Sequence, residues 1–411
     1  MEKKASGSVF GAMLLITGSC VGAGMLALPI TTGLSGFFPA LLMFLVAWSF
    51  MLLSAFLLLE INGWFKHRVN IISMAGHSLG QLGRSLSWML YLFLFYALSI
   101  AYISGSGSLV STFFATFLGT ALPNWIANCF FVLLFGTVVY LGTRHVDLWN
   151  RVLMGGKIAA FLGLVFLGAR YIKSDLLLRT DPSYAIFSLP ILIIAFGFHN
   201  MIPSIMSYLN HDIKRVKKAI WGGSLLALVI YLIWEILVLG IVPLEGDAGI
   251  IQSLKADREA SQALSGVLRL TWISSFAQVL AFFAILTSFL AQSLGLVHFL
   301  ADGLRIKREA HRESLGLCAL ALGPPLILAI IYPQVFFTAL NFAGGICANI
   351  LFGFLPALIV WLGRKHHESA EQILFYKVGG GKPLLIGIIL MSLFILILQL
   401  GNMWGYTLLP K

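Results

Sequence analysis

Thr17-Gly18-Ser19-Cys20-Val21-Gly22-Ala23-Gly24-Met25-Leu26-Ala27-Leu28-Pro29 interrupts an apolar run that extends from about residue 9 to about residue 38. A helix needs about 20 apolar residues to cross a bilayer, so this run is long enough. Each glycine weakens a helix interior by about 1 kcal/mol relative to alanine, and the proline removes a backbone donor. Because lipid offers no hydrogen bonds, such a break is tolerated where it lines a cavity enclosed by protein. The stretch predicts a binding site made of backbone groups; close helix packing through small residues is the alternative.

The composition is that of a polytopic membrane protein. Of the 411 residues, 59% are hydrophobic and only 10% are charged, which is too little polar surface to cover a soluble protein of this size. The apolar segments have the length of helices and lack the alternation of barrel strands. The first run is too long for the core of a cleaved signal peptide. Cys20, Cys129, Cys318 and Cys347 are scattered through apolar segments, which predicts packing roles and neither disulfides nor a metal site.

Eleven membrane-spanning helices are predicted, numbered spans 1 to 11. Their approximate bounds are 9–34, 37–60, 86–112, 124–143, 150–172, 184–209, 218–243, 270–301, 314–332, 335–362 and 384–408. With a cytoplasmic N-terminus, most of the 27 Lys and Arg residues fall on the cytoplasmic side; the exceptions are Arg170, Lys173, Arg179, Lys255, Arg258, Arg269 and Lys411. Cytoplasmic loops are enriched in Lys and Arg, so this asymmetry supports the helix count and the orientation. The net charge of +11 therefore reflects topology and predicts no nucleic-acid partner.

Span 6 carries a second interruption at a matching position. It reads Ile194-Ala195-Phe196-Gly197-Phe198-His199-Asn200-Met201-Ile202-Pro203-Ser204, with a glycine, then polar residues, then a proline. Spans 1 and 6 are five helices apart and so enter the membrane from opposite faces. Interrupted segments at corresponding positions of two inverted halves indicate a transporter site. We therefore predict a substrate site between spans 1 and 6, a first repeat over about 9–172, a second over about 184–362, and one extra helix at about 384–408.

An ordered set of motifs resembles the hydroxy and aromatic amino acid permease family of the amino acid/polyamine/organocation superfamily. The set comprises Gly22–Pro29, Leu57–Glu60, Tyr96–Gly105, Asp147–Lys157, Phe196–His199 with Pro203–Ile205, Thr287–Leu290 and Tyr332-Pro333. The likeness covers most of the chain and is to the tyrosine- and tryptophan-specific permeases in particular. It implies a LeuT-type inverted-repeat fold, a bacterial inner-membrane location, and import of tyrosine and/or tryptophan by proton symport. A sodium-coupled or serine/threonine-type amino acid carrier of the same fold is the alternative.

Three groups of residues are candidates for substrate binding. They are Thr17, Gly18, Ser19, Cys20, Val21, Gly22, Ala23 and Gly24 of span 1; Tyr96, Ser99 and Tyr102 of span 3; and Phe196, Gly197, Phe198 and His199 of span 6. Backbone groups at a helix break can hold a carboxylate or an ammonium group. Aromatic walls suit an aromatic substrate, and a histidine at mid-depth is expected to face a cavity or a partner. The alternatives are lipid-facing or core phenylalanines, hydrogen bonds between helices in span 3, and a satisfied core histidine.

Lys157, Thr287, Ser288 and Glu235 are candidates for proton coupling. Lys157 lies about two turns into span 5, where a lysine is costly unless it snorkels, meets a cavity or loses its proton. The resemblance implies that a lysine of span 5 takes the place of a sodium ion that Thr287 and Ser288 would otherwise hold. Glu235, inside span 7, is the second candidate because an intramembrane carboxylate is functional by default. A role for Lys157 as one more basic residue flanking span 5 is the alternative.

Other function classes are disfavoured by the sequence. An enzyme would need a Ser/His/Asp arrangement, a His/Glu metal cluster or a phosphate-binding loop, and a channel would need a continuous polar pore. We expect no cofactor, and as partners an aromatic amino acid, a proton and the lipid bilayer. Glu60 is expected to pair with Lys66 or Arg68, and Asn341 in span 10 is expected to be a gate or a core hydrogen-bonding residue. The sequence leaves the preferred aromatic amino acid, the coupling stoichiometry and the oligomeric state open.

Overall fold

The computed structural model describes residues 7–65, 69–268, 271–306, 311–367 and 376–404. Every regular element within these residues is a helix, which confirms the all-α prediction. A helix suits lipid because it satisfies its own backbone groups. Several of the basic residues that define the predicted orientation lie outside the described residues: Lys3, Lys4, Lys66, Arg68, Arg269, Lys307, Arg308 and Lys411. The orientation therefore stays a prediction.

The first half of the chain opens with the predicted broken span. Its helices are α1 (Val9–Cys20), α2 (Gly24–Thr32), α3 (Phe37–Asn62), α4 (Ile71–Leu118), α5 (Asn124–Tyr140) and α6 (Thr143–Gly168). α1 and α2 form one span that bends by 60° between Cys20 and Gly24. α4 begins well before the predicted span 3 because it includes an additional N-terminal segment. The two parts meet at Gly80, whose φ of 68° is unfavourable for a residue with a side chain.

The second break lies where it was predicted, in span 6. A 3₁₀ turn (Ala169–Tyr171), α7 (Ser174–Leu178) and a 3₁₀ segment (Pro182–Ser188) lead into α8 (Leu189–Ala195). The helix stops there, and it resumes with the 3₁₀ turn His199–Met201 and α9 (Ile202–Tyr208). The interruption thus spans Phe196 to Phe198, around the glycine at position 197.

The second half contains a π-helical segment of 12 residues. Its elements are α10 (Ile213–Leu239), α11 (Ile250–Lys255), α12 (Ala260–Leu268), α13 (Thr271–Leu304), α14 (His311–Ile331), α15 (Phe336–Phe342), the π-helix Ala343–Phe354, α16 (Leu355–His367) and α17 (Gly381–Met403). α15, the π-helix and the start of α16 form one apolar span. π-Helical turns are rare and occur frequently at functional sites.

The number of spans is only partly fixed by length and composition. Within the described residues, eight helices are long and apolar enough to cross a membrane, or nine segments if the bent pair α1–α2 is one span. Two shorter apolar helices, Asn124–Tyr140 and Leu315–Ile331, coincide with the predicted spans 4 and 9. The eleven-helix count and the repeat bounds therefore stay predictions.

Glycines allow α1 and α10 to pack closely beside the first break. A Cβ atom on Gly222 would lie 2.4 Å from the Met13 side chain, and one on Gly223 would lie 2.7 Å from Ile16. The Thr17 hydroxyl uses this proximity to donate to the Gly223 carbonyl at 2.9 Å. Small residues at such contacts are typical of helix pairs in membranes. α6 packs along α13, and side chains from both helix pairs reach the break.

An ion pair fixes the end of α3. Glu60 is 2% exposed and receives two hydrogen bonds of 2.8 Å from the Arg364 guanidinium. The Val378 N–H donates to the same carboxylate at 2.7 Å. The expected partners, Lys66 and Arg68, lie outside the described residues. The observed partner belongs to α16, far along the chain, so local spacing did not indicate it.

Candidate functional site

One tyrosine connects the two helix breaks. The Tyr231 hydroxyl of α10 lies 2.6 Å from the Cys20 carbonyl oxygen, at the end of α1. It also lies 2.7 Å from the Ala195 carbonyl oxygen, at the end of α8. The last carbonyls of a helix have no partner within that helix, and these two share the single proton of the hydroxyl. Tyr231 is fully buried, so it holds the ends of both half-helices at one point inside the protein.

The groups freed between α1 and α2 are bound by side chains from two other helices. Lys157 of α6 donates to the Val21 carbonyl with an Nζ–O distance of 2.7 Å. Ser288 of α13 accepts from the Ala23 N–H at 3.0 Å. Lys157 is 3% exposed, and within the described residues it forms no ion pair with a carboxylate. The dipole of the Val21 carbonyl therefore stabilises the charge of Lys157 at the break. A cation bound at this place would have the same carbonyl as a ligand.

An inner cavity of about 130 Å³ lies where the two breaks meet. Its walls come from the break in span 1, from α4, from the break in span 6, from α13, and from the span that contains the π-helix. Gly24 begins α2 at this cavity, and its N–H has no hydrogen-bond acceptor among the described residues. The positive end of a helix dipole with a free amide attracts a carboxylate. The cavity thus offers an anion-binding end formed by backbone.

A larger vestibule of about 570 Å³ adjoins the inner cavity. Six residues line both spaces: Ser19, Phe95, Tyr102, Asn200, Ser288 and Gln292. The vestibule extends past Lys157 to Asn150 of α6 and to Asn70, directly before α4. α4 begins on the membrane face where α1 begins. The vestibule therefore leads from the inner cavity toward the face that carries the start of the chain.

About half of the predicted substrate residues line one of these two spaces. The inner cavity includes Ser19, Cys20, Gly22, Ala23, Gly24, Tyr102 and Gly197, and the vestibule adds Gly18. Among the coupling candidates, Ser288 lines both spaces, whereas Lys157 and Thr287 line the vestibule. The Thr287 hydroxyl donates to the Phe283 carbonyl of its own helix at 2.8 Å. The structure thus brings the span 1 residues together with those of spans 3, 5 and 8.

The remaining span 3 candidates lie off the cavity. Tyr96 is half-buried and donates to the Leu320 carbonyl of α14 at 2.9 Å. Ser99 is fully buried elsewhere on α4 and lines neither space. Steps of three residues were expected to keep these side chains on the face of Tyr102. With 3.6 residues per turn, however, two such steps rotate by about 120°, which turns Tyr96 away from the cavity.

Three span 6 candidates pack behind the cavity wall. Phe196 meets the Tyr231 ring edge-on at 5.2 Å, and His199 stacks on Phe352 at 5.0 Å. Phe198 adjoins His199, with ring centroids 5.2 Å apart. All three are fully buried, and of this group only Phe352 lines the inner cavity. His199 therefore supports a residue of the wall and is not itself on the cavity surface.

The remaining predicted residues line neither the inner cavity nor the vestibule. Thr17 donates to the Met13 and Gly223 carbonyls and lines neither space. Glu235 is fully buried and accepts a hydrogen bond from the Thr32 hydroxyl of α2, outside the cavity and the vestibule. Asn341 lines a separate cavity of about 190 Å³. Val21 contributes the carbonyl that binds Lys157.

Sequence reasoning missed several cavity residues that a helical pattern could have revealed. Tyr91, Phe95 and Leu98 precede Tyr102 on α4 at helical spacing and share its face. Gln292 follows Ser288 by four positions on α13, and both line the inner cavity. Asn200, Leu340 and Phe352 also line it. Moving one turn along the helix from Tyr102, Ser99 and Ser288 would have found three of these seven, namely Leu98, Phe95 and Gln292.

The sequence of this chain matches the model of a known protein family. A family model described as the tryptophan/tyrosine permease family matches residues 5–399. The chain belongs to this family. The resemblance seen in the motifs is thereby confirmed, and the protein is grouped with permeases for aromatic amino acids.

Related permeases are similar over nearly their whole length. The chain is 33% identical over 403 residues to tyrosine-specific transport system 1 of Haemophilus influenzae, covering 96% of this chain and 97% of that protein. It is 32% identical over 392 residues to the tryptophan-specific transport protein of Pseudomonas aeruginosa, covering 93% and 92%. A tyrosine-specific and a tryptophan-specific protein are thus similar to this chain at nearly equal sequence identity.

Solved structures show that this permease has a LeuT-type fold. MhsT in complex with L-phenylalanine matches with a TM-score of 0.65 at 12% identity, covering 97% of this chain and 99% of that one. The manganese transporter of Eremococcus coleocola matches with a TM-score of 0.60 at 16% identity, covering 98% and 88%. At these identities the likeness concerns the fold alone, and it agrees with the broken spans 1 and 6.

Proposed function

We propose that this permease imports tyrosine or tryptophan into bacteria, across the inner membrane, together with protons. The observation that carries the proposal is the inner cavity at the meeting point of two broken helices, which adjoins a vestibule lined by a buried lysine. Membership of an aromatic amino acid permease family supports the substrate class. With the predicted cytoplasmic N-terminus, the vestibule faces the cytoplasm, and the structure corresponds to an inward-facing state.

Backbone groups bind the amino acid part of the substrate in this proposal. The carboxylate accepts from the Gly24 N–H at the start of α2, where the helix dipole is positive. Ser19 and Tyr102 lie on the same cavity. The Ser19 hydroxyl is available to the carboxylate or the ammonium group, and the Tyr102 hydroxyl is hydrogen-bonded to the Ser288 side chain. The ring extends toward Phe95 and Phe352, since offset and edge-on contacts favour aromatic partners.

Lys157 carries the coupled proton in this proposal. In its charged form it donates to the Val21 carbonyl and fixes the break in span 1. Loss of the proton removes this charge-assisted hydrogen bond, so the break becomes free to change its geometry. Because Lys157 lines the vestibule, its proton leaves toward the same side as the substrate. An ammonium group at this carbonyl also excludes a sodium ion by charge repulsion.

Glu235 is the second candidate for the proton. The Thr32 hydroxyl has one proton and two adjacent acceptors, the Leu28 carbonyl at 2.7 Å and the Glu235 carboxylate. A protonated Glu235 could donate to the Thr32 oxygen and leave that hydroxyl to the carbonyl. Glu235 borders neither the cavity nor the vestibule, however, and a proton has no evident path to it there. The geometry favours Lys157.

Sodium coupling is the second candidate function. The observation in its favour is the pair Thr287 and Ser288, whose hydroxyls border the break in span 1. Such hydroxyls and a backbone carbonyl are suitable ligands for sodium. Lys157 already binds the carbonyl of Val21, so this site would need the lysine to move away.

Uptake into proteoliposomes separates these proposals. Radiolabelled tyrosine and tryptophan are supplied with proton and sodium gradients that are set independently. We expect an inward proton gradient alone to drive accumulation. Lys157→Ala is expected to lose accumulation but to keep exchange, because it removes the titrating group but no side chain that lines the inner cavity.

Two matched variants make the uptake result specific. Lys173→Ala removes an exposed lysine outside the spans and is expected to accumulate substrate like the wild type. Glu235→Gln is expected to retain proton-driven accumulation. Loss in Glu235→Gln with retention in Lys157→Ala would assign coupling to Glu235, and accumulation driven by sodium alone would overturn proton symport.

A further inference from the structure

The inner cavity contains a polar group that backbone recognition of the substrate leaves unused. Gln292 lies four positions after Ser288 on α13, and both residues line the inner cavity. Residues four apart on a helix share one face and have Cβ atoms about 5–6 Å apart. Ser288 contacts the break where the amino acid part is bound. Gln292 therefore lies at the distance that the side chain of an aromatic amino acid would bridge.

The Gln292 amide presents an unpaired donor. Its Nε2 atom is buried and has no hydrogen-bond partner among the described residues. Two polar groups that line the vestibule together with Gln292 already pair with each other, because the Tyr91 hydroxyl donates to Asn200 Oδ1 at 2.6 Å. A buried donor without a partner costs more free energy than a typical hydrogen bond returns. This donor in the lining of a binding cavity is therefore available to an acceptor atom of the substrate.

The surroundings of Gln292 fit an aromatic ring. Phe95 and Phe352 line the same cavity, and the Tyr91 ring lies 6.2 Å from each of them. Leu98 and Leu340 add apolar surface. A ring among these side chains, with its amino acid part at the helix breaks, has its far end near the Gln292 amide. The polar atom on that far end is then the one that the amide meets.

We propose that Gln292 makes this permease selective for tyrosine by donating a hydrogen bond to the phenolic oxygen of the substrate. This inference rests on the proposed function, since it assumes that the inner cavity binds an aromatic amino acid. A phenol oxygen accepts a hydrogen bond, an indole N–H only donates, and a phenyl ring does neither. A site built to bind a hydroxyl rejects analogues that leave its buried donor unpaired.

Competition against radiolabelled tyrosine uptake tests the proposal in proteoliposomes of the full-length protein. The competitors are tryptophan, phenylalanine and 4-methylphenylalanine, which has the outline of tyrosine without a hydrogen-bonding group. We expect tyrosine to compete roughly tenfold or more better than each of them. Equal competition by tyrosine and 4-methylphenylalanine, or a preference for tryptophan, would overturn the role of Gln292.

The variant Gln292→Leu tests the residue itself. It is expected to lower the preference for tyrosine over 4-methylphenylalanine by roughly tenfold while uptake of 4-methylphenylalanine persists. Gln278→Leu makes the same change on α13 away from the inner cavity and is expected to keep the wild-type preference. An unchanged preference in Gln292→Leu would overturn the proposal, and if this variant fails to fold, the wild-type ranking alone decides.

Failure of the proposed function gives a different result. Wild-type protein that accumulates none of the aromatic amino acids under any gradient contradicts aromatic amino acid import as a whole. Wild-type protein that accumulates them without favouring tyrosine leaves import intact and removes only the selectivity assigned to Gln292.

Discussion

Tyr231 is the residue on which the two helix breaks depend together. Its hydroxyl lies within 2.7 Å of carbonyl oxygens from both α1 and α8, so a single proton serves two buried acceptors. The inner cavity lies where the ends of α1 and α8 are close to each other, and each of these ends is separated by a break from the helical segment that follows it. A change at Tyr231 should therefore affect stability and substrate binding at once.

Tyr231→Phe is expected to lower the free energy of unfolding by about 1–3 kcal/mol, because it leaves the buried Ala195 carbonyl without a donor among the described residues and the Cys20 carbonyl with the Gly22 N–H alone. It should also weaken tyrosine binding. Thermal unfolding in detergent and the KM for counterflow measure the two effects. Tyr96→Phe, which removes a hydroxyl from a half-buried contact with Leu320, is the control and should cost less. Equal losses in both variants would contradict the role of Tyr231.

Single residues were predictable where the sequence itself marked them as unusual. Lys157 and Ser288 are polar groups inside apolar spans, and the structure places both on the break in span 1. Tyr231 was not predicted, because an amphipathic residue in a helix reveals neither its helical phase nor the helix it faces. Gln292 was also missed, although it lies one turn after Ser288 on the same face of α13. Tyr96 was chosen by a spacing of three that drifts around the helix.

The clamp at the end of α3 connects three elements through one carboxylate. Glu60 binds Arg364 of α16 and the backbone of Val378, which precedes α17. A buried ion pair that loses one partner leaves an uncompensated charge, which costs about 3–5 kcal/mol. The clamp thus ties the extra C-terminal helix to the body of the protein.

Glu60→Gln and Arg364→Met are each expected to destabilise the protein, and the double variant is expected to lose less than the two single losses combined. The reason is that the double variant has no unpaired buried charge. Thermal unfolding of all four proteins measures the coupling. Additive losses would mean that the two side chains act independently, contrary to the observed geometry.

The start of α12 contains a buried carboxylate that should make stability depend on pH. Glu259 accepts hydrogen bonds from the N–H groups of Ser261 and Gln262, and the Gln262 side chain donates to Ser108 of α4 at 2.7 Å. Burial raises the pKa of Glu259 from its ordinary value of 4.5 to about 7, although the hydrogen bonds that its carboxylate accepts from Ser261 and Gln262 lower it. The folded protein therefore binds this proton more tightly than the unfolded chain.

The contribution of Glu259 to stability is accordingly expected to be fully present below about pH 4.5 and to be lost as the pH rises to about 7, by on the order of 3 kcal/mol. Glu259→Gln should remove most of this slope. Burial also raises the pKa of Asp257, which binds the N-terminal amides of α15, so a smaller slope of the same sign remains. Thermal unfolding of the wild type and of Glu259→Gln across this pH range measures the two slopes. A slope that is unchanged in Glu259→Gln would contradict the contribution of Glu259 to the pH dependence.

Elements were predictable where glycine and proline mark an interruption. Both broken spans were found in this way, since these residues weaken a helix wherever they occur. The extension of α4 across Gly80 was missed because one glycine leaves the helical pattern intact on either side. The π-helix Ala343–Phe354 was missed because its apolar sequence suits an α-helix equally well.

At the scale of the whole molecule, the architecture follows from two inverted halves whose broken helices meet. Composition and hydropathy predicted the membrane class, and the matched interruptions predicted a site between two inverted halves. The family resemblance implied the LeuT-type fold that the solved structures share. The open vestibule was not predictable, because one sequence encodes both the inward- and outward-facing states of a carrier.

A structure of this permease with bound tyrosine, determined by electron cryo-microscopy, would show directly where the substrate binds. We expect tyrosine in the inner cavity, with its carboxylate at the Gly24 N–H and its ring between Phe95 and Phe352. Tyrosine bound only in the vestibule near Asn70 and Asn150, with the inner cavity empty, would contradict a substrate site built from the two helix breaks.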